Sequence, residues 1–476
     1  MSINPAIFRA YDIRGIYPQD LNDETAQLIG QAIGSEALSR NQTSICVGYD
    51  GRLSSPALSQ ALINGLLKSG VSVIDLGMVP TPALYFSTHA LETGSGVMIT
   101  GSHNPADYNG CKIMLGGHTL SGNEITELYQ RITSKKLSQG AGTLTHQDIS
   151  TSYLDRVLKN RRLKRQIKVV VDCGNGVPGP WIVQLLETFG CQVTPLYCDI
   201  DGHFPNHHPD PEKMENLSDL INQVQQSDAD IGLALDGDGD RLVVIDNQGQ
   251  VITPDQLICL FAQDLLKRHP GADIVYDVKC SINLPRLINQ LGGRADMWSC
   301  GHSMIKNRMQ QTKALFGGEF SGHLFFAEQW YGFDDGLYAA IRLLELLSNT
   351  DQSVTELFSP FTPLPSTPMI HIPVSDESKF QVIEQFSQLN FAPAKVYTID
   401  GLRVEYPDGW FGIRPSNTTP MLTLRIEALT PDALIRIGAL LEEKLKLIVP
   451  DLQIPELAFT NYTTSIDRED TNATVT

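Results

Sequence analysis

Three aspartates alternate with glycines in "LALDGDGDRLVVID", residues 233–246. Asp236, Asp238 and Asp240 directly follow an apolar run, so their carboxylates leave the end of a strand together. Carboxylates this close repel one another unless a cation neutralises them. Hard oxygen donors suit Mg²⁺, which takes few carboxylates and completes its shell with water and substrate phosphate. The glycines let the backbone bend so that all three face one ion. An EF-hand is excluded, because Arg241 and Asn247 stand where its loop needs glycine and glutamate. An acidic turn between strands is the plain alternative, but a turn needs one aspartate rather than three in register.

A second candidate is "VMITGSHNPADYNGCK", residues 97–112. Ser102 stands where an apolar run gives way to a loop, the usual place for function in open parallel sheets. A nucleophile elbow of the G-x-S-x-G type is excluded, since Thr100 and Asn104 hold the glycine positions. In isolation the segment is a Ser/Asn-Pro turn. Beside a Mg²⁺ site, a serine can accept and donate a phosphoryl group, because that chemistry rests on positioning and charge neutralisation.

Two further loops offer binding groups. In "FGIRPSNTTP", residues 411–420, Arg414 presents a guanidinium, and Ser416, Asn417 and Thr418 present small donors, the composition of a phosphate cradle. An ordinary turn fits that stretch equally well. In "GGEFSGH", residues 317–323, Glu319, Ser321 and His323 sit among glycines and suit neighbouring sugar hydroxyls, although taken alone the stretch reads first as a glycine-rich loop with one polar core histidine. Tyr11 and Arg14 in "FRAYDIRG", Lys112, Lys279, and His302 in "SCGHS" are scattered, and each alone reads as a solvated or capping residue.

Three segments built on one plan must position these groups. "SICVGYDGRLSSPALSQALINGLLKSGVSVIDLG", "IKVVVDCGNGVPGPWIVQLLETFGCQVTPLY" and "ADIVYDVKCSINLPRLINQLGGRADMW" each run strand, aspartate, amphipathic stretch, glycine stop, strand. They predict β-α-β units with parallel strands, and hence three related α/β domains. "FTPLPSTPMIHIPVS" is proline-rich and predicts a linker. Beyond it, alternating strands with turns at Asp400-Gly401 and Asp408-Gly409 predict an α+β domain. The expected limits are 1–147, 148–250, 251–362 and 363–458, followed by a polar, disordered tail at 459–476.

Taken in order, "FRAYDIRG", "TGSHNPADYNGCK", "DGDGDR", "GEFSGH" and "RPSNTTP" resemble the motifs of the α-D-phosphohexomutases, over nearly the whole chain. The likeness is to the bacterial phosphomannomutase/phosphoglucomutase branch. It implies an α/β fold of three related mixed domains plus a C-terminal domain like the TATA-box-binding protein, around a central cleft. It implies a phosphoserine at Ser102 and Mg²⁺ on Asp236, Asp238, Asp240 and that phosphoserine. Glu319 and Ser321 would read sugar hydroxyls, with His323, Tyr11 and Lys279 also contacting substrate. Arg414, Ser416, Asn417 and Thr418 would hold the non-reacting phosphate. Arg14, Lys112 and His302 resemble the family's acid–base candidates, with Arg241 and His103 assisting. The implied reaction moves a phosphoryl group between C1 and C6 of mannose and glucose phosphates. It passes through glucose or mannose 1,6-bisphosphate. A phosphoglucosamine mutase, or a metal-dependent sugar phosphatase using Asp236, is the alternative. Cys111 stands where an aromatic is common in the family, and Thr419 where many members carry glutamate.

Composition narrows the partners. Of 476 residues, 42% are hydrophobic and 19% charged, with formal net charge -18. Such an acidic chain repels nucleic acid and anionic lipid, so neither is an expected partner. No signal peptide and no apolar run long enough for a bilayer is visible. Eight scattered cysteines without close pairing suit reduced thiols, and the expectation is a cytoplasmic monomer acting on hexose phosphates.

Overall fold

Four β-sheets follow one another along the chain. The computed structural model describes residues 3–375, 377–416 and 421–450. The expected polar tail therefore lies outside the described residues. Two compact units emerge: Met1–Asp277 with Leu287–Asp296 and Gly301–Phe361, and Val278–Arg286 with Met297–Cys300 and Thr362–Thr476.

The first sheet contains β1 (Ile13–Ile16), β2 (Ser44–Tyr49), β3 (Ser72–Met78), β4 (Gly96–Ile99), β5 (Tyr108–Leu115), β6 (His118–Thr119) and β7 (Leu144–His146), in the order β1-β5-β4-β2-β3-β7 with β6 on β5. β2 lies parallel to β3 and β4, and β5 runs antiparallel to β4 and β1. All four residues of β4 are buried, as expected of a strand covered on both faces. The core beside this sheet includes Ile29 and Ile33 of the helix Asp23–Ser39, and Leu62 and Leu66 of the helix Ser55–Ser69.

The second sheet holds β8 (Lys168–Asp172), β9 (Gln192–Leu196), β10 (Ile231–Leu235), β11 (Leu242–Ile245) and β12 (Val251–Ile252), in the order β12-β11-β10-β8-β9. β8 is parallel to β9 and β10, while β10 and β11 form an antiparallel hairpin in which Leu235 faces Leu242. The aspartate triplet is the connection of that hairpin. The third sheet, ordered β14-β13-β15-β16, holds β13 (Asp273–Asp277), β14 (Arg294–Trp298), β15 (Phe316–Gly318) and β16 (Leu324–Phe326). Its β15–β16 hairpin pairs Gly318 with Leu324, so residues 319–323 form the hairpin loop.

All three expected strand–helix–strand units are present, with helices Ser55–Ser69, Gly179–Phe189 and Asn283–Gln290. The glycines read as stops, Gly70, Gly190 and Gly292, take the left-handed φ values of 103°, 98° and 78° that end a helix.

In the second unit, β17 (Ile370–Pro373), β18 (Lys395–Tyr397), β19 (Leu402–Tyr406), β20 (Gly409–Pro415) and β21 (Met421–Ala428) make an antiparallel sheet ordered β17-β21-β20-β19-β18. This corrects two expectations. The proline-rich "linker" contains β17, which pairs with β21 from Ile370 opposite Leu424 to Pro373 opposite Met421. Proline is compatible with that strand because it lies at the sheet edge and Pro373 ends it. The second turn is displaced by one residue. Tyr406 faces Gly409, so Pro407 and Asp408 form the bend and Gly409 begins β20. Among the described residues, no helix is long and apolar enough to cross a membrane.

Candidate active site

Ser102 lies in the loop that leaves β4, 2% exposed, with a left-handed φ of 49°. An L-residue adopts that φ at a cost, which the surrounding bonds must hold in place. The Ser102 backbone N–H donates to Thr100 Oγ1 at 2.7 Å. Asp50, at the end of β2, accepts from Thr100 Oγ1 at 2.8 Å and from the Gly101 N–H at 3.1 Å. Arg52, 1% exposed, spreads its guanidinium over the loop. It donates to the carbonyls of Ser102 at 2.8 Å, Asn104 at 2.6 Å and Tyr108 at 3.0 Å, to that of Pro105, and to Asp50 Oδ2 at 3.2 Å. A Cβ on Gly101 would stand 2.4 Å from this guanidinium, so no larger residue fits. Arg52 is not among the site residues expected from the sequence. The signal was available, because an aspartate and an arginine two residues apart directly follow a strand.

Replacing Arg52 by lysine is expected to leave at least two of those buried carbonyls without a donor, each costing about 1–3 kcal/mol. The variant should fold, melt at a lower temperature, and lose on the order of 10²-fold in kcat through a misplaced serine. Circular dichroism melting and steady-state kinetics on the same preparation check both parts. Parent-like kcat in a clearly destabilised variant would limit Arg52 to a folding role.

The Ser102 hydroxyl donates to Asp236 Oδ2 at 2.9 Å and lies 3.2 Å from His103 Nδ1. The close approach of the two loops depends on Gly237, where a Cβ would come within 2.5 Å of the Ser102 carbonyl. Asp236, Asp238 and Asp240 are fully buried, with oxygens close enough to share one ion. Asp236 Oδ1 accepts the Arg241 backbone N–H at 3.1 Å. Asp238 Oδ2 accepts Thr81 Oγ1 at 2.6 Å and Lys112 Nζ at 2.7 Å, and the same ammonium donates to Asp240 Oδ2. Asp238 Oδ1 accepts no hydrogen bond among the described residues, and Asp240 Oδ1 has His323 Nε2 at 3.3 Å. Three buried carboxylates and an adjacent hydroxyl form an oxygen-only donor set that fits Mg²⁺.

The electrostatics follow from this packing. Burial, with Asp240 and Asp238 alongside, raises the carboxyl of Asp236 well above the ordinary range. Burial opposes ionisation of Asp240 too, but Lys112 and His323 hold its carboxyl well below its usual value. Lys112 is buried, yet Asp238 and Asp240 keep its ammonium charged. His323 is buried, and Asp240 raises its imidazole to about 9.

His323 joins the metal loop to the "GGEFSGH" loop. Its Nε2 lies 3.3 Å from both Asp240 Oδ1 and Arg241 Nε, and its Nδ1 lies 2.9 Å from Ser321 Oγ and 3.1 Å from Glu319 Oε2. Arg241 also donates to Glu212 Oε1 at 2.8 Å. Glu319 Oε1 accepts the Gly301 N–H at 2.6 Å, one residue before His302. The Tyr11 ring packs on Gly301, leaving 2.7 Å for a Cβ there. Arg14, on β1, donates to the Gly101 carbonyl at 2.8 Å, to Asn104 Oδ1 and to Asp12. Burial and the cations of Arg241, Arg14 and Lys112 keep His103 well below the usual imidazole range.

The first unit therefore brings together Ser102, His103, Arg14, Lys112, the three aspartates, Arg241, Tyr11, His302, Glu319, Ser321 and His323. The second unit holds Lys279, Arg414 and Ser416. Lys279 lies two residues beyond β13 and lines a cavity with Asp400, Arg403, Trp410, Arg414 and Arg425. Arg414 pairs with Asp400 Oδ2 at 3.0 Å, and the Ser416 carbonyl accepts Lys379 Nζ at 2.7 Å. Asn417 and Thr418 lie outside the described residues.

The chain matches four family models in order. They are the alpha/beta/alpha domains I, II and III of phosphoglucomutase/phosphomannomutase at residues 5–139, 151–249 and 253–364, and its C-terminal domain at residues 369–443. A protein of Pseudomonas syringae pv. tomato named phosphomannomutase/phosphoglucomutase is 52% identical over 450 residues, covering 94% of this chain and 97% of that one. A phosphoglucomutase of Neisseria gonorrhoeae is 48% identical over 458 residues, covering 94% and 99%. The solved structure of a phosphoglucomutase/phosphomannomutase family protein from Burkholderia thailandensis has a TM-score of 0.91 at 44% identity, covering 95% of this chain and 100% of that one.

Proposed function

This chain belongs to the phosphoglucomutase/phosphomannomutase family and is a phosphohexomutase, and from that premise we propose that Ser102 carries the phosphoryl group it exchanges with C1 and C6 of mannose and glucose phosphates. The observation that carries the reading is a buried hydroxyl 2.9 Å from one carboxylate of a three-aspartate cluster. Relatives named for both sugars, and for glucose alone, support the pair of substrates over a glucosamine phosphate.

Asp236, Asp238, Asp240 and the phosphorylated Ser102 would hold Mg²⁺, which when bound neutralises charge on the transferring group. Phosphoserine gives its phosphoryl group to the free hydroxyl of a hexose monophosphate. The P–O bond to Ser102 Oγ breaks, a P–O bond to the sugar oxygen forms, the hydroxyl proton leaves to a base, and an acid protonates the departing Ser102 oxygen. The resulting hexose 1,6-bisphosphate turns round and returns its other phosphoryl group to Ser102. Arg14, Lys112 and His302 are the candidates to move the protons, and Arg241 and His103 assist by charge. Glu319, Ser321 and His323 read hydroxyls shared by the two sugars, with Tyr11 and Lys279 as further contacts. Arg414, Ser416, Asn417 and Thr418 serve the phosphate at rest, since a guanidinium with small donors binds phosphate whichever carbon bears it. We take 1–147, 148–250, 251–362 and 363–458 as the working domains.

A phosphatase using Asp236 as nucleophile is less well supported, because both of its oxygens are already hydrogen-bonded, to Ser102 and to the Arg241 N–H. Incubation with glucose 1,6-bisphosphate labelled in phosphorus, followed by peptide mapping, separates the two. Acid-stable label on Ser102 is the expected result, with turnover of glucose 1-phosphate and mannose 1-phosphate in a coupled assay. Acid- and hydroxylamine-labile label on Asp236 and hydrolysis without isomerisation would overturn it.

A further inference from the structure

Lys306 lies one helical turn beyond His302 on the helix His302–Thr312, so their side chains share a face. Both are buried, at 3% and 7% exposure. Lys306 Nζ donates to Asp334 Oδ1 at 2.8 Å and lies 3.1 Å from His302 Nδ1, with the Tyr85 ring centroid at 4.1 Å. Burial lowers the pKa of Lys306, and Asp334, its 2.8 Å partner, opposes that; held against this carboxylate it is an ammonium, with three donors and no acceptor. The nitrogen it meets on His302 must therefore offer a lone pair. Asp334 Oδ2 stands 3.4 Å from the same Nδ1, beyond ordinary hydrogen-bond distance, and accepts no hydrogen bond among the described residues.

Resting on the phosphohexomutase reading above, we propose that Lys306 is a positioning residue that fixes His302 as the neutral tautomer protonated on Nε2. His302 then shows the substrate an N–H, a donor to a sugar hydroxyl or phosphoryl oxygen, and has no free lone pair with which to take a proton. That makes His302 a donor to the substrate rather than the base of the transfer. The charged groups facing the ring agree: burial first, then the cations of Lys306 and Lys112 and the His323 ring, against Asp240, hold His302 well below the usual imidazole range. The tie from Gly301 to Glu319 fixes the ring beside the loop assigned to sugar recognition.

The test is two-bond proton–nitrogen correlation on the full-length protein labelled with ¹⁵N-histidine, with His302→Gln used to assign the signal. The parent should show a neutral His302 protonated on Nε2 between about pH 6 and 8, where a free imidazole titrates. Lys306→Met should move the proton toward Nδ1, now able to donate to Asp334, and lower kcat on the order of 10²-fold with little change in KM. Lys306→Arg, which keeps the donor, should retain the Nε2 tautomer. An Nδ1-protonated or cationic His302 in the parent overturns the proposal, as does an unchanged tautomer in the methionine variant. The parent spectrum suffices alone if that variant does not fold. It requires no turnover, so failure of the phosphoserine reading would show separately in the labelling experiment.

Discussion

Ser102→Ala is expected to lose on the order of 10⁴-fold or more in kcat, the scale seen when a nucleophile is removed from an enzyme that forms a covalent intermediate. The hydroxyl is the atom to which phosphate would be bonded, and no other hydroxyl lies in the residues 100–105 loop at that carboxylate. Stability should change little. The side chain's hydrogen-bond partners are Asp236 and His103, so its removal costs about 1 kcal/mol. Ser102→Gly is a useful companion, because the φ of 49° suits glycine better than serine or alanine. It should be at least as stable as the alanine variant and equally inactive, separating loss of the hydroxyl from any change in backbone strain. A coupled assay on glucose 1-phosphate and mannose 1-phosphate, with melting curves, reads both effects. Either variant keeping a tenth of parental turnover would end the phosphoserine mechanism.

Lys112→Met should have the second largest effect. The Lys112 ammonium lies against Asp238 and Asp240, on the oxygen set that suits a divalent cation. Removing one partner of a buried ion pair exposes the other charges to each other in a dry site and costs about 3–5 kcal/mol. Without divalent cation the variant should melt well below the parent. Added Mg²⁺ should recover much of that difference in the variant and raise the parent less, because in the parent the ammonium already neutralises part of the aspartates' charge. Turnover should remain low in both conditions, by about 10²- to 10⁴-fold, if Lys112 also moves a proton. Differential scanning calorimetry with and without chelator decides the first part. Equal melting of variant and parent in chelator would mean that Lys112 does not neutralise the aspartates.

Much of this site is visible in the sequence because its chemistry is local. Asp236, Asp238 and Asp240 announce a cation by their number and spacing alone, and Ser102 by its place after an apolar run. The three glycine stops and the strands around them are equally local, set by φ values that only glycine adopts freely. β17 shows the opposite case. Its prolines read as a linker because sequence carries no sign that β21 would leave an edge to be covered.

The residues overlooked share one property: their meaning lies in partners distant along the chain. Arg52 looks like a surface charge beside a turn until the fold lays residues 102–108 over it. Lys306 looks like any helix lysine until Asp334 and Tyr85 close round it. Sequence by itself determined the family motifs and named the groups proposed for phosphoryl chemistry, since those are matters of side chains and of spacing within one loop. The tertiary structure alone decided which of them meet, which are buried, and what charge or tautomer they hold. Those depend on desolvation and on neighbours more than a hundred residues away, such as Asp236 for Ser102 and Asp238 for Lys112.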